Sequence, residues 1–301
     1  MVIHKVFISE IQKFIGKKIV RIFGDYDGVY IDNLADRNRV NNTTLDWVNS
    51  TNLQKQQLVI NSPAKVILVD ESVNPVDGKV LIVVKNPKVI LAEIGNYFFV
   101  KSVAPGIHST AIIDPKAYIG ENVFIGAYTV IGKCKIGDNC RIDSQVNIYD
   151  DVIIGNDCVI KAGAIIGGEG FGYEKDEDGN TFRFPQIGQV IIGHHVEIGS
   201  NTCIDRGALA DTVIGDYTKI NNLCHIAHNN IIGKNVEITG CCNISGSNVI
   251  DDNVWIAPNS SIRGWLHIGE GATIGMGAVV VKNVPAREIW VGNPAHKLEK
   301  K

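Results

Sequence analysis

From residue 214 onward an aliphatic side chain returns at every sixth position, twelve times without a miss: Ile214, Ile220, Ile226, Ile232, Ile238, Ile244, Ile250, Ile256, Ile262, Ile268, Ile274 and Val280. An earlier block keeps the same period through Ile107, Ile113, Ile119, Ile125 and Ile131, loses one residue, and resumes from Ile136 to Ile166. A short third block is Ile192, Ile198 and Ile204. Two positions before the aliphatic stands a second set, usually small or apolar, such as Cys224, Val236, Cys242, Val254, Ser260 and Ala272. Residues i and i−2 of a strand share one face, so both sets are expected to point inward. A six-residue period with a corner in every repeat describes short parallel strands whose coils stack on one another. Three hexads per coil make a triangular prism, with residues three hexads apart lying directly above one another. Gly follows the aliphatic at Ile214, Ile232, Ile268 and Ile274, where a tight corner is expected to need positive φ.

Two stretches interrupt the period. Residues 167–190, GGEGFGYEKDEDGNTFRFPQIGQV, form a polar, Gly-rich excursion too long for a corner; Asp205–Thr212 is a shorter one. Insertions in a solenoid leave from corners and often line a site, although composition alone fits a floppy solvent loop equally well. Residues 1–102 lack the repeat and read as a separate α/β domain. FISEIQKFIG is amphipathic at helical spacing, KKIVRIF alternates, KVILVD and KVLIVV read as buried strands, and PKVILAEIGNYFF as a helix. The prism is expected over 103–281, followed by a tail at 282–301 in which Pro285 and Pro294 argue against a long helix.

Bulk chemistry removes several partners. With 29 Lys and Arg against 32 Asp and Glu, the net charge of −3 gives no electrostatic case for nucleic acid or a membrane surface. The opening residues do not read as a signal peptide and no apolar run reaches bilayer-spanning length, so the expected location is the cytoplasm. Seven cysteines with no Cys-x-x-Cys pair read as reduced structural thiols.

The histidines suggest chemistry. In CHIAHN, His225 and His228 flank the inward Ile226, so neither fills the core. His228 lies just past the corner at Ala227, within reach of a cleft between neighbouring prisms. A neutral imidazole there is a suitable base for an attacking amine, although a plain surface histidine has the same spacing. One coil above it falls Gly246, whose backbone N–H is a candidate oxyanion donor. A zinc site of the β-helical carbonic anhydrase type needs three converging histidines, and the spacing here does not supply them. No metal and no permanently bound cofactor are expected.

Through GGEGFGY, PQIGQVIIG, TCIDRGALADTVIG and HIAHNNIIG the chain resembles the UDP-3-O-acylglucosamine N-acyltransferases of lipid A biosynthesis. The resemblance implies a left-handed β-helix, a homotrimer with sites between adjacent prisms, and acyl transfer to a sugar amine. It implies His228 as general base and Gly246 as oxyanion donor, with Phe171, Tyr173 and His225 near the substrate. It also implies a nucleotide held by Trp47 and Asn49, although the family's Asn-Pro-Lys-Tyr element is replaced by NSTN. The family's second functional histidine falls at Trp265, with His267 two residues on as a possible substitute. Where that family continues into helices that receive acyl carrier protein, the ending VVVKNVPAREIWVGNPAHKL resembles the coenzyme A-binding tail of sugar acetyltransferases. That implies Lys282 and Arg287 at CoA phosphates, with Gly292, Asn293 and Pro294 shaping the loop; a solvated charged tail is the plainer reading.

The leading expectation is transfer from acyl-CoA to the amine of a UDP- or dTDP-linked amino sugar for surface polysaccharide. The lipid A enzyme itself, served by acyl carrier protein, is the alternative. A non-enzymatic β-helix scaffold or sugar-nucleotide sensor is the reading from another class.

Overall fold

The computed structural model describes residues 5–298; residues 1–4, His4 among them, and 299–301 of the tail lie outside that range. It divides into two compact units, up to residue 102 and from residue 103 on.

In the first unit the predicted elements form. The helix Ile8–Ile15 buries Ile8, Ile11 and Ile15 on one face. A four-stranded sheet orders Ile19–Phe23, Val80–Val84, Val66–Val69 and Leu45–Trp47, the first pairing antiparallel and the others parallel. The two central strands are buried along their whole length, as their unbroken aliphatic sequences require. Helix Pro87–Ile94 starts on Asn86, whose side chain accepts from the Val89 N–H, and continues as a π-turn through Gly95–Phe99.

The second unit is a left-handed parallel β-helix of hexapeptide repeats. Its strands, two to four residues long, stack into faces of 11, 9 and 8 strands. The aliphatic columns are in register: on the second face Ile204, Ile226, Ile244, Ile262 and Val280 lie one above another. Each is buried, as are the companions Cys224, Val236, Cys242, Val254, Ser260 and Ala272. Burying one such aliphatic is worth about 1.5–3 kcal/mol, so the stacked columns are the principal cohesive element of the prism. The residue missing after Ile131 shortens one coil, and Tyr118 consequently pairs with Lys135 instead of a residue one further on.

One expectation about corners is corrected. Gly215, Gly233, Gly269 and Gly275 do not adopt positive φ. The left-handed residue comes two positions later, at Tyr217, Asn235, Gly271 and Gly277. The glycines meet a steric demand instead: a Cβ on Gly215 would lie 2.6 Å from the carbonyl carbon of Gly233 in the next coil.

The long excursion is ordered. It leaves after Gly168, forms an antiparallel hairpin of Tyr173–Lys175 with Thr181–Arg183, and rejoins the third face at Val190. Arg206, from the shorter interruption, donates to the carbonyls of Gly188 and Asp150 and so ties the return strand down. The tail is not a separate segment. Val284 bridges Ile268, Ile289–Val291 pairs with Thr273–Ile274, and Trp290 packs on the core. The prism therefore continues past the expected boundary at residue 281, and a final hairpin, Ile289–Val291 with His296–Lys297, closes its end. No helix among the described residues is long and apolar enough to cross a membrane.

Candidate functional site

His228 stands at the corner between the second face, after Ile226, and the third face, before Ile231. It is half-buried in a cavity of about 580 Å³. The excursion contributes Phe171, Tyr173, Phe184 and Gln186, the shorter interruption Ala208 and Leu209, and the coils above Ser247 and Trp265. Of the residues singled out from the sequence, Phe171, Tyr173, His228 and Trp265 line this one cavity. Phe171 and Tyr173 meet edge to face at 4.9 Å, and Phe171 and Trp265 are each 84% exposed. Large aromatic rings held this openly are suited to an apolar ligand.

The imidazole is oriented by a neighbour that sequence reasoning missed. Asn229 Oδ1 accepts from the Ala208 N–H at 2.7 Å, which fixes which end of that amide is oxygen. The same oxygen lies 3.1 Å from His228 Nδ1, so Nδ1 carries the proton and donates. Nε2 is left with its lone pair, the tautomer a general base requires. Gly246 covers the ring: a Cβ there would stand 2.7 Å from Cε1 and 2.9 Å from Nε2. Among the described residues its N–H finds no hydrogen-bond acceptor, while its carbonyl accepts from the Trp265 N–H. No spacing rule flags Asn229; only the adjacency in HIAHNN hints at it.

Other predicted residues lie elsewhere. His225 points outward from the second face and pairs with Asp205 at 2.9 Å; that hydrogen bond raises its pKa above the ordinary 6.5. His267 lies on the third face, 2.8 Å from Asp251, and does not line the cavity. Lys282 occupies the same corner column as His228, Gly246 and Gly264, counted from the paired strands His225, Asn243, Ser261 and Val279. Arg287 is exposed, and Gly292, Asn293 and Pro294 form the turn of the closing hairpin, with a cis peptide at Asn293–Pro294. In the first unit Trp47 and Asn49 line one cavity of about 370 Å³ with Asp36, Arg37 and Asp46.

All seven cysteines are free thiols. Burial pushes Cys134 up to about 12, as expected of an inert structural thiol. Among the described residues no three His, Cys, Asp or Glu side chains are grouped to hold a metal ion.

The bacterial transferase hexapeptide family, six repeats, matches residues 133–168 and 249–282. Those two stretches carry the hexapeptide repeat of that transferase family. It is 42% identical over 227 residues to UDP-3-O-acylglucosamine N-acyltransferase 1 of Francisella tularensis subsp. holarctica (strain OSU18), covering 66% of this chain and 63% of that one. It is 40% identical to UDP-3-O-acylglucosamine N-acyltransferase of Caulobacter sp. (strain K31), over 47% of this chain and 41% of the relative. The chain thus spans under two thirds of the length of these curated relatives. Among solved structures it is similar to UDP-N-acetylglucosamine O-acyltransferase from Moraxella catarrhalis, with a TM-score of 0.59 at 27% identity over 64% of this chain and 73% of the other. LpxA from Acinetobacter baumannii gives 0.58 at 30% identity, with the same coverage.

Proposed function

We propose that the chain transfers an acyl group to the amine of a UDP-linked glucosamine that already carries a 3-O-acyl chain. The observation carrying this reading is His228, held as the Nδ1–H tautomer under a bare Gly246 inside an aromatic cavity. The names of the curated relatives favour this acceptor over the broader class of nucleotide-linked amino sugars. In the proposed step the amine nitrogen attacks the thioester carbonyl. His228 Nε2 takes its proton, the Gly246 N–H stabilises the oxyanion, and the C–S bond breaks as the thiol leaves with that proton. Trp47 and Asn49 are proposed to hold the nucleotide, the aromatic face by stacking.

The donor is proposed to be a thioester on a phosphopantetheine arm, the chemistry shared by CoA and acyl carrier protein. Above His228 the corner is bare for two coils, at Gly246 and Gly264, and Lys282 follows. Stacked strands are about 4.8 Å apart, so Lys282 stands roughly 14 Å up the column, the reach of an extended arm ending in phosphate. Arg287 and the Gly292–Pro294 turn are proposed contacts if that arm belongs to CoA, the second reading. A homotrimer is proposed because an aliphatic row, Ile153, Ile191, Val213, Ile231 and Val249, faces outward beside the His228 corner.

The test is thiol release from hydroxyacyl thioesters of CoA and of acyl carrier protein, with UDP-3-O-acylglucosamine as acceptor. Turnover falling about 10²–10⁴-fold in His228→Ala supports the base assignment. Binding of the UDP-sugar with no turnover from any donor would instead favour a sensor.

A further inference from the structure

Two cations at the corner between the second and third faces lack a counter-charge. Arg263 and Lys282 are exposed, and neither side chain makes a hydrogen bond or ion pair with a described residue. Ser261 pairs with Val279 and Ile262 with Val280, and the Arg263 N–H donates to the Val280 carbonyl at 2.9 Å. By that register Lys282 stands directly above Gly264, and Arg263 is one position before that glycine. The two cations are therefore neighbours on adjacent coils about 4.8 Å apart, a step that either side chain exceeds. No Asp or Glu occurs in the stacked turns of this corner, 227–230, 245–248, 263–266 and 281–284. The corner between the third and first faces differs, because there Lys234 lies 3.0 Å from Asp216 and Arg287 3.8 Å from Glu270. Trp265 adds an independent observation. Its φ is 65°, a conformation bulky residues seldom adopt, and its ring is 84% exposed. It lines the His228 cavity from the highest coil that does so. An aromatic wall, a bare glycine and two unmatched cations thus follow one another out of the cavity mouth.

We infer that Arg263 joins Lys282 in clamping the phosphate of the donor's pantetheine arm, with Trp265 flanking the arm between that phosphate and the thioester. The inference rests on the acyl-transfer reading above and adds to it a residue that reading leaves without a role. Along the corner column Arg263 stands roughly 10 Å above His228, one coil short of Lys282. Its guanidinium offers two parallel N–H donors to phosphate oxygens, while the Lys282 ammonium supplies a point charge from the coil above. A phosphate has oxygens enough to engage both cations at once, which the apolar end of an acyl chain has not. Bare Gly264 leaves the arm room to pass: a Cβ there would stand 2.7 Å from the Gly246 carbonyl oxygen. CoA and acyl carrier protein present the same phosphate on the same arm, so the clamp reads the arm and not its bearer.

Calorimetry with 4′-phosphopantetheine and with pantetheine, which lacks the phosphate, tests the clamp on the unaltered chain, Arg263→Gln and Arg263→Lys. The unaltered chain should favour the phosphorylated arm, and Arg263→Gln should lower that preference about tenfold. Arg263→Lys should recover part of it, because the charge stays and the fork is lost. Added salt should weaken phosphopantetheine binding more in the unaltered chain than in Arg263→Gln. Turnover with hydroxyacyl-CoA and with hydroxyacyl carrier protein then compares the two bearers. Arg263→Gln should raise KM for both, by similar factors, with kcat little moved. A rise for one donor only overturns the shared clamp. So does an unaltered chain that ignores the phosphate, or an Arg263→Gln chain that melts like it and keeps the full preference. Binding is read without acceptor, so the two ideas fail separately. A phosphate preference that depends on Arg263, in a chain that turns over no donor, sustains the clamp and overturns the acyl-transfer reading.

Discussion

At the scale of single residues the site depends on what is missing as much as on what is present. Gly246→Ala would bring a methyl group within 2.7–3.1 Å of three atoms of the His228 ring. The ring must turn away, breaking its alignment with Asn229. Activity is expected to fall about a hundredfold while the melting temperature stays nearly unchanged, because the displaced side chain is half-buried and not part of the core. Steady-state rates and a thermal melt on the same sample check both halves. His225 gives a different signature. Its pKa is raised by the hydrogen bond to Asp205 and lowered by the smaller effect of burial. A raised folded-state value means the stabilisation is complete below the unfolded pKa, near 6.5, and is lost as pH rises through the folded value. The melting temperature should therefore decline as pH rises above 6.5, and His225→Asn should remove that part of the decline. The pair is half-exposed, so the effect is small and screened by salt.

At the scale of the coil, period six was readable from sequence because every hexad repeats one inward aliphatic, and register followed from it. What each corner requires was misread. Gly215 and Asn235 look alike in sequence as corner residues, yet one is excluded from carrying a Cβ by the next coil and the other is left-handed at φ 53°. Gly215→Ala is expected to cost about 3 kcal/mol, since backbone atoms at 2.6 Å cannot give way. Asn235→Ala should cost about 1 kcal/mol, the penalty of left-handed backbone. Urea-unfolding midpoints for both variants order the two effects, and a reversal would refute the steric account. The candidate site was legible where it lies on the repeat, at His228 and Gly246. Asn229, Gln186 and Leu209 were not singled out, because the first acts through a side-chain oxygen and the others stand in interruptions that no period indexes. Strand pairing through Ile289–Val291 has no hexad signature, so the prism was expected to stop at residue 281, where the aliphatic period ends.

At the scale of the molecule, the third face presents Ile153, Ile191, Val213, Ile231 and Val249 as one outward column between Lys135 and His267. Ile231 is 50% exposed and Val249 39%. Outward positions on the first face read differently, with Lys219, Glu237 and Trp255 in the equivalent coils. A continuous aliphatic ladder on a single face is the kind of surface a protein–protein contact would cover, and it is the face proposed above for the homotrimer. Three copies sharing such faces around an axis would bring the His228 corner of one beside the next, which is why site and assembly are expected to fail together. Ile231→Glu places a charge in the middle of the ladder and touches neither the inward column nor the cavity lining. Sedimentation should then show a single chain in place of the proposed trimer, with the β-helix circular dichroism retained and the proposed acyl transfer lost. A variant that dissociates yet keeps full activity would show that each prism carries a complete site, and one that stays trimeric would move the interface to another face.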